Sequence, residues 1–268
     1  MKARSLSLWA ALALLVTASG AWAQPTNSTA AQSIAALKKQ AASGDALAQG
    51  RLGDLYYYGR GVAQDYIQAA EWYRKAAEEG DATAQWSLGF AYDSGRGVPQ
   101  DYAQAEVWYR KAADQGLAYA QWSLGSMYFV GQGIPQDYAQ AAFWYRKAAL
   151  QGLAAAQSQL GFMYEHGHGV PQDYAQAAVW YHKAAEQGDG LAQWSLGSLY
   201  DLGRGVPQDY TEAYFWLNLA AAVKIEEVKR EDVAKERDEA ASHLTPVDLS
   251  RVQERARKWF EDHPAKSQ

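Results

Sequence analysis

The 268-residue chain contains no cysteine. That excludes disulfide staples, thiolate metal sites, covalent haem attachment and cysteine nucleophiles, so the fold must be held by packing alone. Histidine is scarce, with five in the chain. Only Glu165-His166-Gly167-His168 forms a cluster, and no third protein ligand accompanies it, so no metal or other cofactor is expected. No nucleophile stands beside a candidate base, so no catalytic residues are assigned and enzymatic activity is not expected. Basic clusters are also missing from a chain of net charge −5, which argues against nucleic acid and anionic lipid surfaces as partners.

Long apolar runs are confined to the N-terminus. Lys2 and Arg4 precede an apolar stretch from Leu6 to Val16, and Ala21-Trp22-Ala23 has the small-x-small form of a cleavage site. The pattern predicts a secretory signal over residues 1–23, cut after Ala23, and a soluble periplasmic or secreted product that is not inserted in the membrane. Cleavage would remove two cations and no acid, taking the net charge from −5 to −7. Residues 24–43 are expected to hold a polar, disordered linker to residue 29 and a capping helix from Ala30 to Ala42.

The body of the chain is periodic. Gly44, Gly80, Gly116, Gly152 and Gly188 recur every 36 residues, as do Trp72, Trp108, Trp144, Trp180 and Trp216. Five copies without insertion over residues 44–223 describe one helix-turn-helix unit repeated in tandem. With the glycine as position 1, the spacing predicts a first helix over positions 2 to about 15. Asp45, Asp81 and Asp189 cap it, Leu117 and Leu153 take that place without capping, and Gly59, Gly95, Gly131, Gly167 and Gly203 end it. A second helix follows Asp65, Asp101, Asp137, Asp173 and Asp209, each with Gln or Glu three residues on, in the manner of a capping box. Arg74-Lys75, Arg110-Lys111 and Arg146-Lys147 fall where cations favour the helix dipole. Residues 224–268 are expected to form a helical cap, with one helix from about Glu226 to His243 and another capped by Thr245 with Pro246 at its first position.

The pattern A-Q-x-x-L-G-x-x-Y-x-x-G-x-G-V-P-Q-D-Y-x-x-A-x-x-W-Y-x-K-A-A-x-x-G resembles the Sel1-like repeat (SLR), a relative of the tetratricopeptide repeat. The resemblance implies an all-α fold: a right-handed α–α superhelix, or solenoid, of five 36-residue repeats between helical caps. It also implies a non-catalytic adaptor of secreted or periplasmic bacterial type that binds proteins.

Comparison among the five copies separates scaffold from surface. Positions 5, 6, 9, 10 and 13 are always Ala, Gln, Leu, Gly and Tyr, and at about 100° per residue they share one packing arc. Positions 4, 7, 11, 14 and 15 vary on the opposite arc, which is expected to line the concave side. There stand Trp86, Phe90, Tyr119, Trp122, Phe129, Phe162 and Trp194, with the acids Asp93, Glu165 and Asp201. Rigid aromatics with scattered carboxylates suit a peptide or protein partner held by a monomer. Planar tryptophans beside carboxylates also suit a glycan such as a cell-wall fragment. The same tryptophans could equally fill space between neighbouring first helices. The tryptophans of the second helix, Trp72 to Trp216, are expected in the core.

Overall fold

A computed structural model describes residues 27–223, 225 and 228–263. The signal segment, its cleavage site and Glu226 lie outside the described residues. In chain order, α1 (Asn27–Ala42) is followed by α2 (Ala46–Tyr58), α3 (Tyr66–Glu78), α4 (Ala82–Ser94), α5 (Tyr102–Asp114), α6 (Ala118–Val130) and α7 (Tyr138–Leu150). Then come α8 (Ala154–His166), α9 (Tyr174–Ala185), α10 (Gly190–Leu202), α11 (Tyr210–Ala222), α12 (Arg230–Ser242) and α13 (Pro246–Asp262). No strand occurs among the described residues, and the all-α solenoid class expected from the repeat is met. Two compact units divide inside α7, after Trp144. In the first, α2 packs on α3, α4 on α5, and α3 and α5 on the next first helix; in the second, α8–α9 and α10–α11 do the same, and α11 carries α12 and α13.

The boundaries follow local chemistry. Asp45, Asp81 and Asp189 accept the backbone N–H three residues on, whereas Leu117 and Leu153 make no side-chain cap. The aspartates that open the second helices cap them likewise, but the capping box is half formed. The N–H of Asp65 donates to the carbonyl of Tyr56 instead of to Gln68, and Asp101, Asp137, Asp173 and Asp209 repeat that bond. Each Pro-Gln-Asp or Ala-Gln-Asp glutamine closes the turn, as Gln100 Nε2 does by donating to the Asp93 carbonyl at 2.7 Å. α1 begins at Asn27, three residues before the expected start. α12 begins at Arg230, about four residues after the expected start, and its N-cap residue Lys229 makes no side-chain hydrogen bond.

The repeated Gln of position 6 locks each first helix to the preceding second helix. Gln49, Gln85, Gln121, Gln157 and Gln193 donate from Nε2 to the carbonyls of Ala41, Ala77, Ala113, Ala149 and Ala185, at 3.1 to 3.2 Å. The buried Oε1 then needs a donor. Gln115 supplies it to Gln85 and Gln187 supplies it to Gln157, both at 2.7 Å. Gln49 and Gln193 Oε1 lack one, since the corresponding residues are Glu79 and Val223. Leaving a buried acceptor unmet costs about 1–3 kcal/mol. Glu79→Gln is therefore expected to stabilise the protein by about 1 kcal/mol, the net value of a recovered hydrogen bond. Urea unfolding reads this as a raised midpoint; an unchanged or lowered midpoint would count against the pairing.

Position 10 must be glycine because the second helix comes so close. A Cβ on Gly89 would lie 2.7 Å from Cδ1 of Tyr109, a ring that is fully buried. The cations near the end of the second helix do more than meet the helix dipole. Arg74 and Arg110 donate to the hydroxyls of Tyr92 and Tyr128 in the next first helix, while Lys75, Lys111 and Lys183 lie over Trp72, Trp108 and Trp180. Trp144, Trp180 and Trp216 are buried as expected of core; Trp72 and Trp108 are only half-buried.

Candidate functional site

Seven of the ten singled-out residues reach the surface and three lie beneath it. Trp86, Trp122 and Asp93 are 9, 5 and 2 % exposed. For Trp86 the burial has a packing cause: position 7 of its first helix meets position 8 of the next. Trp86 Nε1 thus donates to Ser123 Oγ at 3.1 Å, which makes its indole a joint between α4 and α6. Trp194 is half-buried and plays the same part for α12, donating to Glu236 Oε2 at 3.0 Å beside Ser198 Oγ at 2.8 Å.

What stays partly open in the first unit is a row of rings across three first helices. Phe90 stacks on Trp86 with centroids 6.4 Å apart, and Tyr119 lies 5.6 Å from Trp86 on the other side. Tyr57 meets Phe90 edge-on at 6.3 Å and Tyr66 at 5.2 Å. Arg96 sits at the end of the row, 5.7 to 6.0 Å from the centroids of Tyr66, Phe90 and Tyr57, and donates to the Tyr57 hydroxyl. Burial raises the Tyr57 hydroxyl above its ordinary pKa, while the Arg96 hydrogen bond pulls the other way. Phe129 lies 5.3 Å from Tyr138. Tyr57 stands at position 14 of the variable arc, as Phe129 does, whereas Tyr66 and Arg96 were not among the expected residues. Arg96 is position 17 of the following repeat, and only stacking brings it to Tyr57.

In the second unit Phe162 stacks on His166 at 4.2 Å and lies 5.8 Å from His168. Glu165 accepts from the Tyr181 hydroxyl at 2.7 Å. Asp201 is half-buried; its carboxyl is raised above the ordinary value first by burial, then by nearby Glu239, and is partly offset by His243. Beside Trp194 a cleft of about 540 Å³ opens between α10 and α12, lined by Lys229, Asp232, Lys235, Glu236 and Glu239 among others. A second cleft of about 630 Å³ lies where α13 meets α9 and α11, walled by Trp216, Trp259, Phe215, His182 and Arg255. Arg255 lies flat on Phe215, 3.7 Å from the ring centroid, and pairs with Glu212. This region is the helical cap expected from the sequence; its cleft was hinted at by the adjacent rings Trp259 and Phe260 in the charged stretch 251–262.

Paired helices repeated at a constant period, locked by glutamine and opened on aromatic faces, define a helical-repeat scaffold. The Sel1 repeat family model matches residues 46–81, 82–117, 118–153, 154–189, 190–222 and 242–261, and the chain belongs to that family. The last match falls in the expected cap and marks a sixth, divergent copy: Thr245, the cap of α13, stands 36 residues after Asp209, the cap of α11. A Sel1 repeat protein from Oxalobacter formigenes is similar over 87% of this chain and 93% of its own, with 33% identity and a TM-score of 0.70. The protective antigen c5321 of uropathogenic Escherichia coli strains, which displays an SLR fold, is similar over 89% of this chain and 60% of its own, with 31% identity and a TM-score of 0.58. No curated protein matches the chain. Sel1 repeats generally mediate protein–protein interactions and are typically non-catalytic scaffolds. Proteins that carry them are often extracytoplasmic, and no described helix is long and apolar enough to cross a membrane.

Proposed function

We propose that this chain is a non-catalytic adaptor of the periplasm or cell exterior that holds an extended peptide or a helix of a partner protein on its first-helix face. The observation that carries the reading is the row Tyr66–Tyr57–Phe90–Trp86–Tyr119 with Arg96 at its end. Rings already braced against one another lose little freedom on binding, and aromatic and arginine side chains dominate interface energetics. Trp86 and Trp122 support this surface from below; Phe90, Tyr119 and Phe129 present it. Phe162, Trp194, Glu165 and Asp201 present the corresponding face of the second unit. A glycan would need open indole faces, and the burial of Trp86 and Trp122 favours the peptide reading.

Phe90→Ala with Tyr119→Ala is expected to weaken partner binding by about 2 kcal/mol or more, the scale of interface hot spots, with the helical fold retained. Glu71→Ala, on an exposed second-helix position, is the control and should leave affinity unchanged. Partners are captured on the wild-type chain from extracytoplasmic extract, identified, and titrated against each variant; the mass of the exported chain reports whether residues 1–23 are lost. Equal affinity of wild type and the double variant would refute the surface. Binding to cell-wall fragments in place of any protein would favour the glycan reading.

A further inference from the structure

Asp93 is the one carboxylate among the buried described residues, and it lies at a crossing of three helices. It occupies the last turn of α4. From α5 the Tyr109 hydroxyl donates to its Oδ2 at 3.1 Å, and from the loop after α6 Gln132 Nε2 reaches its Oδ1 at 3.4 Å. Behind Tyr109 the network continues to Ser123 of α6, which also receives the Trp86 indole N–H. Asp93 therefore links one repeat to the next through a buried polar chain.

The charged and titratable groups around it leave the carboxyl uncompensated. Tyr109 on α5 is held protonated by burial and by Asp93 itself. Tyr57 on α2 is also raised, and Arg96, the nearest cation in sequence, is turned to the Tyr57 hydroxyl. Gln132 and Ser123, the contributions of the α6 side, are neutral. No ion pair to Asp93 occurs among the described residues. The same place in neighbouring repeats avoids the problem: Tyr57 and Phe129 replace the acid, and Glu165 and Asp201 are less buried.

We propose that Asp93 is a proton-operated clasp that holds the α4–α6 joint closed when its carboxyl is neutral and loosens the joint when it ionises. In the neutral form one oxygen accepts from Tyr109, and the carboxyl O–H donates to the Gln132 amide oxygen once that amide is turned over, so every group is satisfied. In the ionised form the buried charge keeps two neutral hydrogen bonds and no counter-ion, and exposure to water relieves it. Burial raises the Asp93 carboxyl to about 7, opposed only by the Tyr109 hydrogen bond. Between the ordinary value of 3.8 and about 7, the folded state retains a proton that the open state has shed. Rising pH therefore favours opening over that window, by at most about tenfold per pH unit, and the effect levels off above it.

The test uses the full chain labelled with ¹³C at aspartate Cγ, with the Asp93 signal assigned by its loss in Asp93→Asn. The expected midpoint is near pH 7. Hydrogen exchange of α4 and α6 amides, corrected for its intrinsic pH dependence, should show opening that increases about tenfold or more from pH 5 to pH 7. In Asp93→Asn the same increase should fall below about twofold, because no proton is exchanged. Gln132→Ala should preserve the carbon titration yet uncouple α6, and it keeps the test open if Asp93→Asn folds poorly. An Asp93 midpoint below 5, or α4 and α6 opening that follows the same pH curve in wild type and Asp93→Asn, overturns the clasp.

Discussion

Trp216→Ala is expected to destabilise the second unit by about 3–5 kcal/mol, the range for truncating a buried large aromatic. Trp216 is 3 % exposed and belongs to a cluster with Phe215, Tyr214, Leu219, Val252 and Ala256, contributed by α11 and α13. Phe215 meets it edge-on at 4.9 Å, and the His182 ring of α9 does so at 5.4 Å. Truncation thus opens a cavity where three second helices meet, and rigid helices can close it only in part. Because repeats couple chiefly to their neighbours, lost protection from hydrogen exchange should concentrate in α9, α11 and α13 and leave α2 to α4 nearly unaffected. A cost below about 1 kcal/mol, typical of exposed sites, would show that the second-helix face is not the core.

Gly97→Ala is the second large effect, and it carries its own control. Gly97 adopts φ +79°, and a Cβ there would fall 1.9 Å from the carbonyl oxygen of Tyr66, where the turn of one repeat rests on the second helix of the repeat before. A left-handed backbone costs a residue with a Cβ about 1–2 kcal/mol. Displacing packed backbone adds roughly 1–3 kcal/mol of overpacking strain. The expected total is about 2–5 kcal/mol from these two sources. Gly80 has a similar φ of +95°, yet a Cβ on it would meet nothing within 4 Å. Gly80→Ala should therefore cost only about 1–2 kcal/mol. Equal midpoints for the two variants in denaturant would show that the turn yields without resistance and that Gly97 is not a contact between repeats.

These two sites show where local and tertiary reasoning part. Trp216 could be placed in the core from its recurrence alone, since a ring repeated every 36 residues on one helical face has to pack against its neighbours. The glycines of the turns could be placed at helix ends, because a left-handed residue after a helix is a local requirement. The same locality made the aspartate caps legible, including the two repeats where leucine leaves the cap unmade. The 1.9 Å approach of Gly97 to Tyr66 was not legible, for it depends on how one repeat seats on another.

The candidate site divides along the same line. Variation among copies drew attention to positions 7, 11 and 14, but variability does not separate a ring open to a partner from one tuned to the next helix. Trp86 and Phe90 are four residues apart on one helix; the first is fixed to Ser123, and the second remains half-exposed. Arg96 and Tyr57 join only across a repeat boundary, so a reading of single repeats could not pair them. By itself the sequence determined the period, the helices, their caps and the family, because each rests on backbone chemistry within a few residues or on exact recurrence. The tertiary structure decided which aromatics are spacers and which are surface, that Asp93 is buried without a counter-ion, and that α13 walls a cleft. Those facts depend on side chains from different repeats meeting, and stacking alone brings them together.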